Sequence, residues 1–326
     1  MLLTGTAKKM SDKQTQGKIL ITVGVLNYNG AEKLKKVIPA VLAQDYEPME
    51  IIVTDNGSTD ESVEYLRQFG EIKIIENKSN IGYGAGKNVL VKNAKGDYVL
   101  TLDNDIELPE SNFLSKLFEE YKTLTTPAYL SPLLRDIDKD YIDTGGLYFN
   151  RPNKKIELAD ILSTGIKKVP RYRGGATFFK KDIFEKLGGF DEIYPINIDD
   201  YDMSARAYLN GCSNYRTTNL LGIHLGVDTR TNIDALCWKN QYYLCGFNRM
   251  IWKNYKPKNL IIWWPASSLW ILYKMLKMSL KYKSPRPLWA YTKSLYFFLR
   301  DFPDTLKQRK KIQSQRTVKD DLFLKI

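Results

Sequence analysis

The order of apolar and polar residues in the first part of the chain alternates between two patterns. Continuous apolar runs at residues 19–26, 50–54 and 98–102 are typical of strands buried on both faces of a sheet, and 72–75 is a shorter run of this kind. Between them, as at 31–43, apolar residues recur at intervals of three and four, which predicts helices. The repeated alternation predicts a doubly wound, mainly parallel α/β sheet with right-handed crossovers.

Polar clusters stand where three of these strands end. Residues 27–29 follow the first strand, residues 55–58 follow the second, and Asp103 and Asp105 follow the strand at 98–102. Because open α/β sheets bind ligands at the carboxyl ends of their strands, we expect these clusters to meet in one cleft. Two carboxylates one residue apart are frequent in turns, but they are also the oxygen ligands that Mg²⁺ and Mn²⁺ prefer.

Two further segments carry residues suited to binding an anion or moving a proton. Gly82 opens a predicted helix in which Lys87 and Asn88 can point into the cleft, where the helix dipole favours anions, although the segment does not match a phosphate-binding P-loop. Asp199 and Asp200 begin another predicted helix. Acidic residues there either cap the helix or supply a general base that takes a proton from a hydroxyl.

The two ends of the chain differ from the middle. We expect a flexible segment at 1–17, an α/β domain at 18–231 with an irregular loop at 151–173, and a largely helical extension at 232–326. Residues 249–326 contain 18 Lys and Arg but only 4 Asp and Glu, whereas the rest of the chain contains 31 and 33. All six tryptophans lie at or after Trp238, so a nearly neutral body is joined to a basic, tryptophan-rich tail.

Such a tail suits helices that lie on an anionic membrane surface. The alternatives are that the helices pack on the α/β domain or form an oligomer interface; nucleic acid is not an expected partner, because no recognised motif accompanies the charge. No apolar run is long enough to span a membrane, and the first 17 residues do not resemble a secretory signal. The three cysteines have the odd number and irregular spacing expected in a reducing compartment.

Taken together, five stretches resemble the family 2 inverting glycosyltransferases with the GT-A fold, in particular their rhamnosyltransferase-like branch. The resemblance covers about residues 19–226, roughly two thirds of the chain, and depends on the order and spacing of the stretches, since each alone is weak. In chain order they are VLNYNG at 25–30, IIVTDNGSTD at 51–60, NIGYG at 80–84 with Asn88, LDND at 102–105, and GGFDE at 188–192 with DDYD at 199–202 and Arg206.

The resemblance implies a role for each matching position. Asp200 occupies the position of the catalytic base, although the family usually has Glu where Asp199 stands here. Asp105 would be the main metal ligand, and His224 either assists it or is structural. With the cleft argument, we expect a donor-nucleotide site made of Asn27, Asn29, Asp55, Asn56, Gly82, Lys87, Asn88, Asp103 and Asn104. Asp199, Asp202 and Gly175 are expected to contact the acceptor or to have secondary roles.

The implied activity is transfer of a sugar, with inversion, from a nucleoside diphosphate sugar to a hydroxyl of a glycan or lipid-linked acceptor, with Mg²⁺ or Mn²⁺ as cofactor. Uridine or deoxythymidine diphosphate is the expected donor nucleotide. Two alternatives remain open: a transferase that makes a lipid-phosphate sugar, and a non-catalytic subunit that binds a sugar nucleotide or glycan. We expect a cytoplasmic protein, peripheral to the inner face of the cell membrane through residues 249–326, and a homo-oligomer is compatible with the sequence.

Overall fold

The computed structural model describes residues 19–137, 141–143, 165–196, 198–226 and 232–321. The segment expected to be flexible, 1–17, and most of the irregular loop predicted at 151–173 lie outside these ranges.

A single mixed sheet runs through the α/β part, and its strand order is β3-β2-β1-β4-β9-β6-β10-β5, with β7 paired to β6 and β8 to β10. Strands β1 to β4 are parallel, whereas β9 is antiparallel to both β4 and β6. The strands are β1 Ile21–Asn27, β2 Met49–Asp55, β3 Ile72–Glu76, β4 Tyr98–Asp103, β5 Ile106–Glu107, β6 Pro127–Asp136, β7 Tyr141–Asp143, β8 Ile166–Val169, β9 Ala176–Lys180 and β10 Ser213–His224.

Helices cover both faces of the sheet and form the C-terminal part. They are α1 Ala31–Leu42, α2 Ser62–Leu66, α3 Tyr83–Asn93, α4 Phe113–Lys122, α5 Lys181–Leu187, α6 Asp199–Leu209, α7 Ile233–Asn254, α8 Pro257–Lys281, α9 Arg286–Arg300 and α10 Phe302–Ser314. The predicted α/β class with a helical C-terminal extension is therefore observed.

The apolar runs become strands because helices cover both of their faces. Val23 and Leu100 pack in a core that includes residues of α1 and α4, and Ile52 and Val99 pack in another that includes residues of α3, α5 and α6. At Gly24 in β1, an added Cβ would lie 2.2 Å from Leu90 Cδ2 of α3. This close approach brings the first turn of α3 to the carboxyl ends of the strands.

The C-terminal helices pack on the α/β part through α6. Tyr201 and Tyr208 of α6 share a core with residues of α7, α8 and α10. A buried charge network reinforces this contact: Arg249 and Lys253 of α7 pair with Asp191, and Lys253 also pairs with Asp202 of α6 at 2.9 Å. Two cations of the basic tail are thus neutralised inside the protein.

Candidate active site

The carboxyl ends of β1, β2 and β4 open onto a cleft with two neighbouring cavities of about 350 and 610 Å³. The smaller cavity lies over the ends of β1 and β2, and the larger one extends toward α6 and α7. Five residues line both cavities and so mark where they meet: Tyr83, Asp103, Arg173, Ile196 and His224. The strand-end clusters predicted from the sequence are therefore close together.

The floor beside the smaller cavity is a closed network of short polar side chains. Asn27 donates to Asp55 Oδ1 at 2.8 Å, and Asn104 donates to Asn27 Oδ1 at 2.8 Å. The Asp55 carboxylate also accepts from the Gly57 and Ser58 amides and from the Ser58 hydroxyl. Asp55 is buried and its oxygens already accept these hydrogen bonds, so its side chain stabilises the 55–58 loop.

Three other residues that were predicted to bind the nucleotide stabilise the loops around the smaller cavity. Asn56 lines the smaller cavity and donates to the Gly82 carbonyl at 3.0 Å. Asn29, which has a φ of 47°, accepts from the Thr59 amide at 2.8 Å. Gly82 has a φ of 98°, and a Cβ there would lie 3.1 Å from Pro195 Cα, so glycine is required at the start of α3.

Lys87 is directed at a carboxylate rather than at open space. Its ammonium is buried, pairs with Asp103 Oδ1 at 2.9 Å and donates to the Gly174 carbonyl at 2.7 Å. The Tyr83 hydroxyl lies 3.0 Å from the same Asp103 oxygen. Burial, with repulsion from Asp105, raises the pKa of Asp103 despite the opposing charge of Lys87. The expectation that Lys87 faces an anion in the cleft is thus replaced by an internal ion pair.

Asp105 and His224 form a second charged group at the junction of the cavities. Asp105 Oδ2 lies 3.1 Å from Lys33 Nζ and 3.6 Å from His224 Nε2, while His224 Nδ1 lies 3.5 Å from Asp136 Oδ2. Burial opposes ionisation of Asp105, but the hydrogen bond and charge of His224, together with Lys33, lower its pKa. The hydrogen bond to Asp105 raises the pKa of His224.

The donor set here suits a hard divalent cation. Asp103, Asp105 and His224 all line the smaller cavity, and the Asp105 carboxylate already attracts the Lys33 ammonium. Within the described ranges, however, no three His, Cys, Asp or Glu side chains are arranged as a metal site. The fit to Mg²⁺ or Mn²⁺ thus rests on the kind of donor atoms that Asp103, Asp105 and His224 bring to the cavity and not on their present arrangement.

Asp200 faces the larger cavity from the first turn of α6. Its Oδ2 lies 2.5 Å from Arg171 Nη1, and the Arg171 guanidinium lies 4.1 Å from the centre of the Tyr201 ring. Since Arg171 is itself buried and held against this ring, the ion pair fixes the orientation of the Asp200 carboxylate. Arg171 was not identified from the sequence because its partner is distant in the chain.

Asp199 lies beside Asp200 in the same cavity and is buried. Burial and the neighbouring Asp200 charge raise the pKa of Asp199 to about 7. A Cβ at Gly84 would lie 2.7 Å from Asp199 Oδ1, so a glycine at position 84 makes room for this carboxyl group. The sequence expectation that Asp199 has an acceptor or secondary role stays a prediction.

We predict that Asp199→Asn reduces the pH dependence of stability. A carboxyl whose pKa is about 7 in the folded state and ordinary in the unfolded chain adds stability that is complete below about pH 4 and is lost as pH rises through about 7. Asn does not titrate, so this part of the pH dependence disappears. The full shift is worth about 4 kcal/mol, and about 2–3 kcal/mol of it is lost between about pH 5 and about pH 8, so urea unfolding of both proteins at these two pH values measures the effect. An equal pH dependence in both would contradict the assignment.

Seven predicted site residues line neither cavity: Asn27, Asn29, Asp55, Gly82 and Lys87, whose contacts are described above, and Asn88 and Asp202. Asn88 donates to the Phe190 carbonyl at 3.0 Å and accepts from the Phe190 amide at 2.8 Å, which fixes the 188–192 loop. Asp202 is buried and pairs with Arg206 at 2.7 Å and Lys253 at 2.9 Å. The expectation that Asn88 binds the nucleotide is not supported, because its side chain turns away from the cleft. For Asp202 the sequence left an acceptor contact or a secondary role open, and the contacts of its side chain away from the cleft do not support the acceptor contact.

Gly175 does lie on the wall of the larger cavity. Its carbonyl accepts from the Asp103 amide at 2.8 Å, and a Cβ there would lie 3.2 Å from Leu134 Cδ1 and 3.6 Å from Asp103 Oδ2. A side chain at 175 would therefore press on Leu134, and its Cβ would be in ordinary van der Waals contact with Asp103.

Several lining residues were missed by the sequence reasoning. Tyr28 lines the smaller cavity with 47% of its surface exposed, and Arg173 lines both cavities. Tyr28 stands inside a recognised motif, and an aromatic ring in a polar strand-end cluster is a signal that could have identified it. Four residues of α7, from the helical extension, line the larger cavity: Leu236, Lys239, Asn240 and Tyr243. No local motif marks these.

Solved structures support the fold. A structure of GalNAc-T7 with UDP, GalNAc and Mn²⁺ aligns over 72% of this chain and 48% of that one, with a TM-score of 0.57 and 17% identity. The mannosyltransferase PcManGT from Pyrobaculum calidifontis, in complex with GDP-Man and Mn²⁺, aligns over 93% and 84%, with a TM-score of 0.54 and 16% identity. At these identities the similarity supports the predicted GT-A-like architecture and nothing finer.

Curated relatives match part of the chain. The O-antigen chain rhamnosyltransferase RfbN of Salmonella typhimurium is 28% identical over 190 residues, which cover 57% of this chain and 60% of that protein. The chain spans less than two thirds of the length of such relatives. A model of the family described as glycosyl transferase family 2 matches residues 22–188, more than half of the chain. The five motifs thus indicated the right family, and the chain belongs to glycosyl transferase family 2.

Proposed function

We propose that this protein is a metal-dependent, inverting glycosyltransferase that uses a nucleoside diphosphate sugar. The observation that carries the proposal is the pair of joined cavities, with Asp105 and His224 in the smaller one and Asp200 in the larger one. A donor in the smaller cavity would place its sugar near Asp103, where the two cavities meet. An acceptor in the larger cavity would then lie within reach of Asp200.

Asp103, Asp105 and His224 are the residues that would hold Mg²⁺ or Mn²⁺. When bound, such a cation neutralises the negative charge that develops on a departing diphosphate. The Asp103 carboxylate is held in place before any ligand binds, because it pairs with the buried Lys87 and accepts a hydrogen bond from the Tyr83 hydroxyl.

Asp200 would act as the general base. Its carboxylate takes the proton of an acceptor hydroxyl, and that oxygen forms a bond to the anomeric carbon from the face opposite the diphosphate. The bond between the anomeric carbon and the diphosphate oxygen breaks, and the electron pair leaves with the nucleoside diphosphate. The configuration inverts and the proton remains on Asp200. Arg171 positions the carboxylate for this step through the ion pair at 2.5 Å.

For the donor we propose a uridine or deoxythymidine nucleotide whose base lies near Tyr28, because an exposed aromatic ring beside the cavity provides a stacking surface. The acceptor would be a glycan or lipid-linked hydroxyl. A lipid-linked acceptor implies a peripheral location at the inner face of the cell membrane. Arg173 and Lys239 line the acceptor side, and these cations favour a lipid phosphate as a second candidate acceptor, whereas the charge of Arg171 is paired with Asp200.

Calorimetric titration with uridine and deoxythymidine diphosphates, with and without Mn²⁺, tests the donor site. We expect one nucleotide to bind in a Mn²⁺-dependent manner, and we expect Asp105→Ala to lose that dependence. Asp182→Ala is the matched control, since Asp182 is an exposed carboxylate that pairs with Lys180 outside the cleft. Mn²⁺-independent binding, or unchanged binding by Asp105→Ala, would contradict the metal assignment; no binding of either nucleotide would contradict the choice of donors.

A further inference from the structure

Helix α8 presents an apolar stripe to the outside of the protein. Ile262, Leu269, Tyr273, Leu276 and Leu280 follow one another at helical spacings of 7, 4, 3 and 4, which places them on one side of the helix. All five are exposed, Leu280 to 79%. A helix on the surface of a globular protein normally presents polar residues there, so this stripe requires another explanation.

The opposite side of α8 packs against the core that it shares with α6 and α7. Ile271 and Met275 are buried against the α6–α7 core, and Trp263, Trp264 and Trp270 pack against the same core. These tryptophans therefore stabilise the protein itself rather than a membrane contact, contrary to the sequence interpretation. The outer stripe is a separate feature, and α9 adds Trp289, Tyr296 and Leu299 to the exposed apolar surface.

The sequence of α8 and α9 carries charge of one sign, while Lys258, Arg286 and Arg300 pair with carboxylates outside this segment. From Pro257 to Arg300 the sequence contains no Asp or Glu, but it contains eight cationic residues: Lys258, Lys274, Lys277, Lys281, Lys283, Arg286, Lys293 and Arg300. Among them, Lys277 and Lys281 are exposed next to the apolar stripe of α8. An apolar stripe flanked by cations matches a bilayer surface that has anionic headgroups above hydrocarbon.

We propose that the outer face of α8 and α9 docks on an anionic lipid membrane. Among the residues that the structure describes, no helix is long and apolar enough to cross a bilayer, so this face would lie on the membrane. A second copy of the chain fits less well, because a two-fold interface would bring the same cationic surface against itself.

The docking face is connected to the acceptor side of the cleft. Arg286, at the start of α9, pairs with Asp234 in the first turn of α7 at 3.0 Å. The following turns of α7 provide Leu236 and Lys239 to the cavity that contains Asp200. Docking through α8 and α9 would thus bring the larger cavity toward the lipid surface. This step rests on the proposed function, and it favours a lipid-linked acceptor over a soluble glycan.

Vesicle flotation of the full chain tests the docking face. Wild-type protein is expected to float with vesicles of phosphatidylcholine and phosphatidylglycerol at low salt, and not with phosphatidylcholine alone. Lys277→Glu/Lys281→Glu is expected to weaken binding at least ~10-fold, since each cation near the surface contributes on the order of 1 kcal/mol. Leu269→Ser/Leu280→Ser is expected to weaken it as well. The matched control is Lys36→Glu/Lys92→Glu, which reverses two exposed lysines of α1 and α3.

Each outcome decides the proposal without reference to sugar transfer. No flotation of the wild type, or equal flotation of wild type and both α8 variants, would overturn it. Light scattering of the same proteins detects the competing occupant: a dimer that the Leu269→Ser/Leu280→Ser variant dissociates, without vesicle binding, would assign the face to a second copy. Nucleotide calorimetry on the α8 variants is expected to match the wild type, which separates loss of docking from loss of the donor site.

Discussion

Replacing Asp200 with Asn is expected to reduce sugar transfer by ~100- to 10,000-fold while nucleotide binding is retained, because the neutral amide cannot take a proton from the acceptor hydroxyl. The size of the effect follows from the position of the carboxylate in the larger cavity, where Arg171 fixes its orientation. Transfer from a radiolabelled nucleotide sugar, chosen by the calorimetric screen, measures the first quantity. Calorimetry of the variant measures the second.

Two controls separate a base from a structural carboxylate. Asp182, like Asp200, lies in the first turn of a helix and pairs with a cationic side chain, in this case Lys180. Asp182 is exposed and outside the cleft, so Asp182→Asn makes the same chemical change away from the site. It is expected to leave both quantities unchanged. Asp200→Glu keeps a carboxylate opposite Arg171 and is expected to retain part of the activity. If Asp200→Asn lowers transfer and nucleotide binding equally, with a lower melting temperature, Asp200 is a structural partner of Arg171.

The sequence predicts the frame of the site well, because the frame depends on local patterns. The apolar runs predicted the parallel strands β1, β2 and β4 closely, since residues buried on both faces leave a pattern that needs no partner information. The convergence of residues 27–29, 55–58 and 103–105 followed from topology alone. The family assignment likewise needed only the order of short motifs.

What the sequence did not reveal depends on pairings between distant residues. Lys87 was expected to face an anion, but it is held by Asp103 and by the Gly174 carbonyl, which are brought to it by β4 and the approach to β9. Asp202 matched the acidic cluster at the start of α6, yet it turns toward Lys253 of α7. Asp200 and Asp202 lie on different sides of α6: Asp200 faces the larger cavity and Asp202 faces α7. No local sequence pattern predicts where α7 packs, so the sequence could not distinguish the two residues.

The second large effect is expected from Asp202→Asn, which should destabilise the folded protein by about 3–5 kcal/mol at neutral pH. Asp202 Oδ2 lies 2.7 Å from Arg206 and 2.9 Å from Lys253, and its Oδ1 accepts from Asn254 at 2.8 Å. All of these side chains are buried. Removing the carboxylate charge leaves two buried cations with less compensation, and the cost is large because water cannot reach them. Urea unfolding at pH near 7 measures the difference.

The stability difference between the wild type and Asp202→Asn is expected to depend on pH in a definite direction. Burial opposes ionisation of Asp202, but Arg206 and Lys253 outweigh it and lower the pKa below the ordinary value. The stability that the wild type gains is therefore complete above about pH 4, where an unfolded Asp is ionised, and is lost as pH falls through the lower pKa of the folded state. The gap between wild type and Asp202→Asn should be full at neutral pH and should narrow on acidification.

The exposed pair of Lys180 with Asp182 again supplies the control, because Asp182→Asn removes the same charge from a solvent-accessible ion pair and is expected to cost less than about 1 kcal/mol. If Asp202 instead contacted the acceptor, which is one of the roles expected from the sequence, Asp202→Asn would raise the acceptor KM and leave the free energy of unfolding unchanged. Since α6 carries both Asp200 and Asp202, a stability loss in Asp202→Asn would mean that the helical extension holds the proposed base in place through this buried pair.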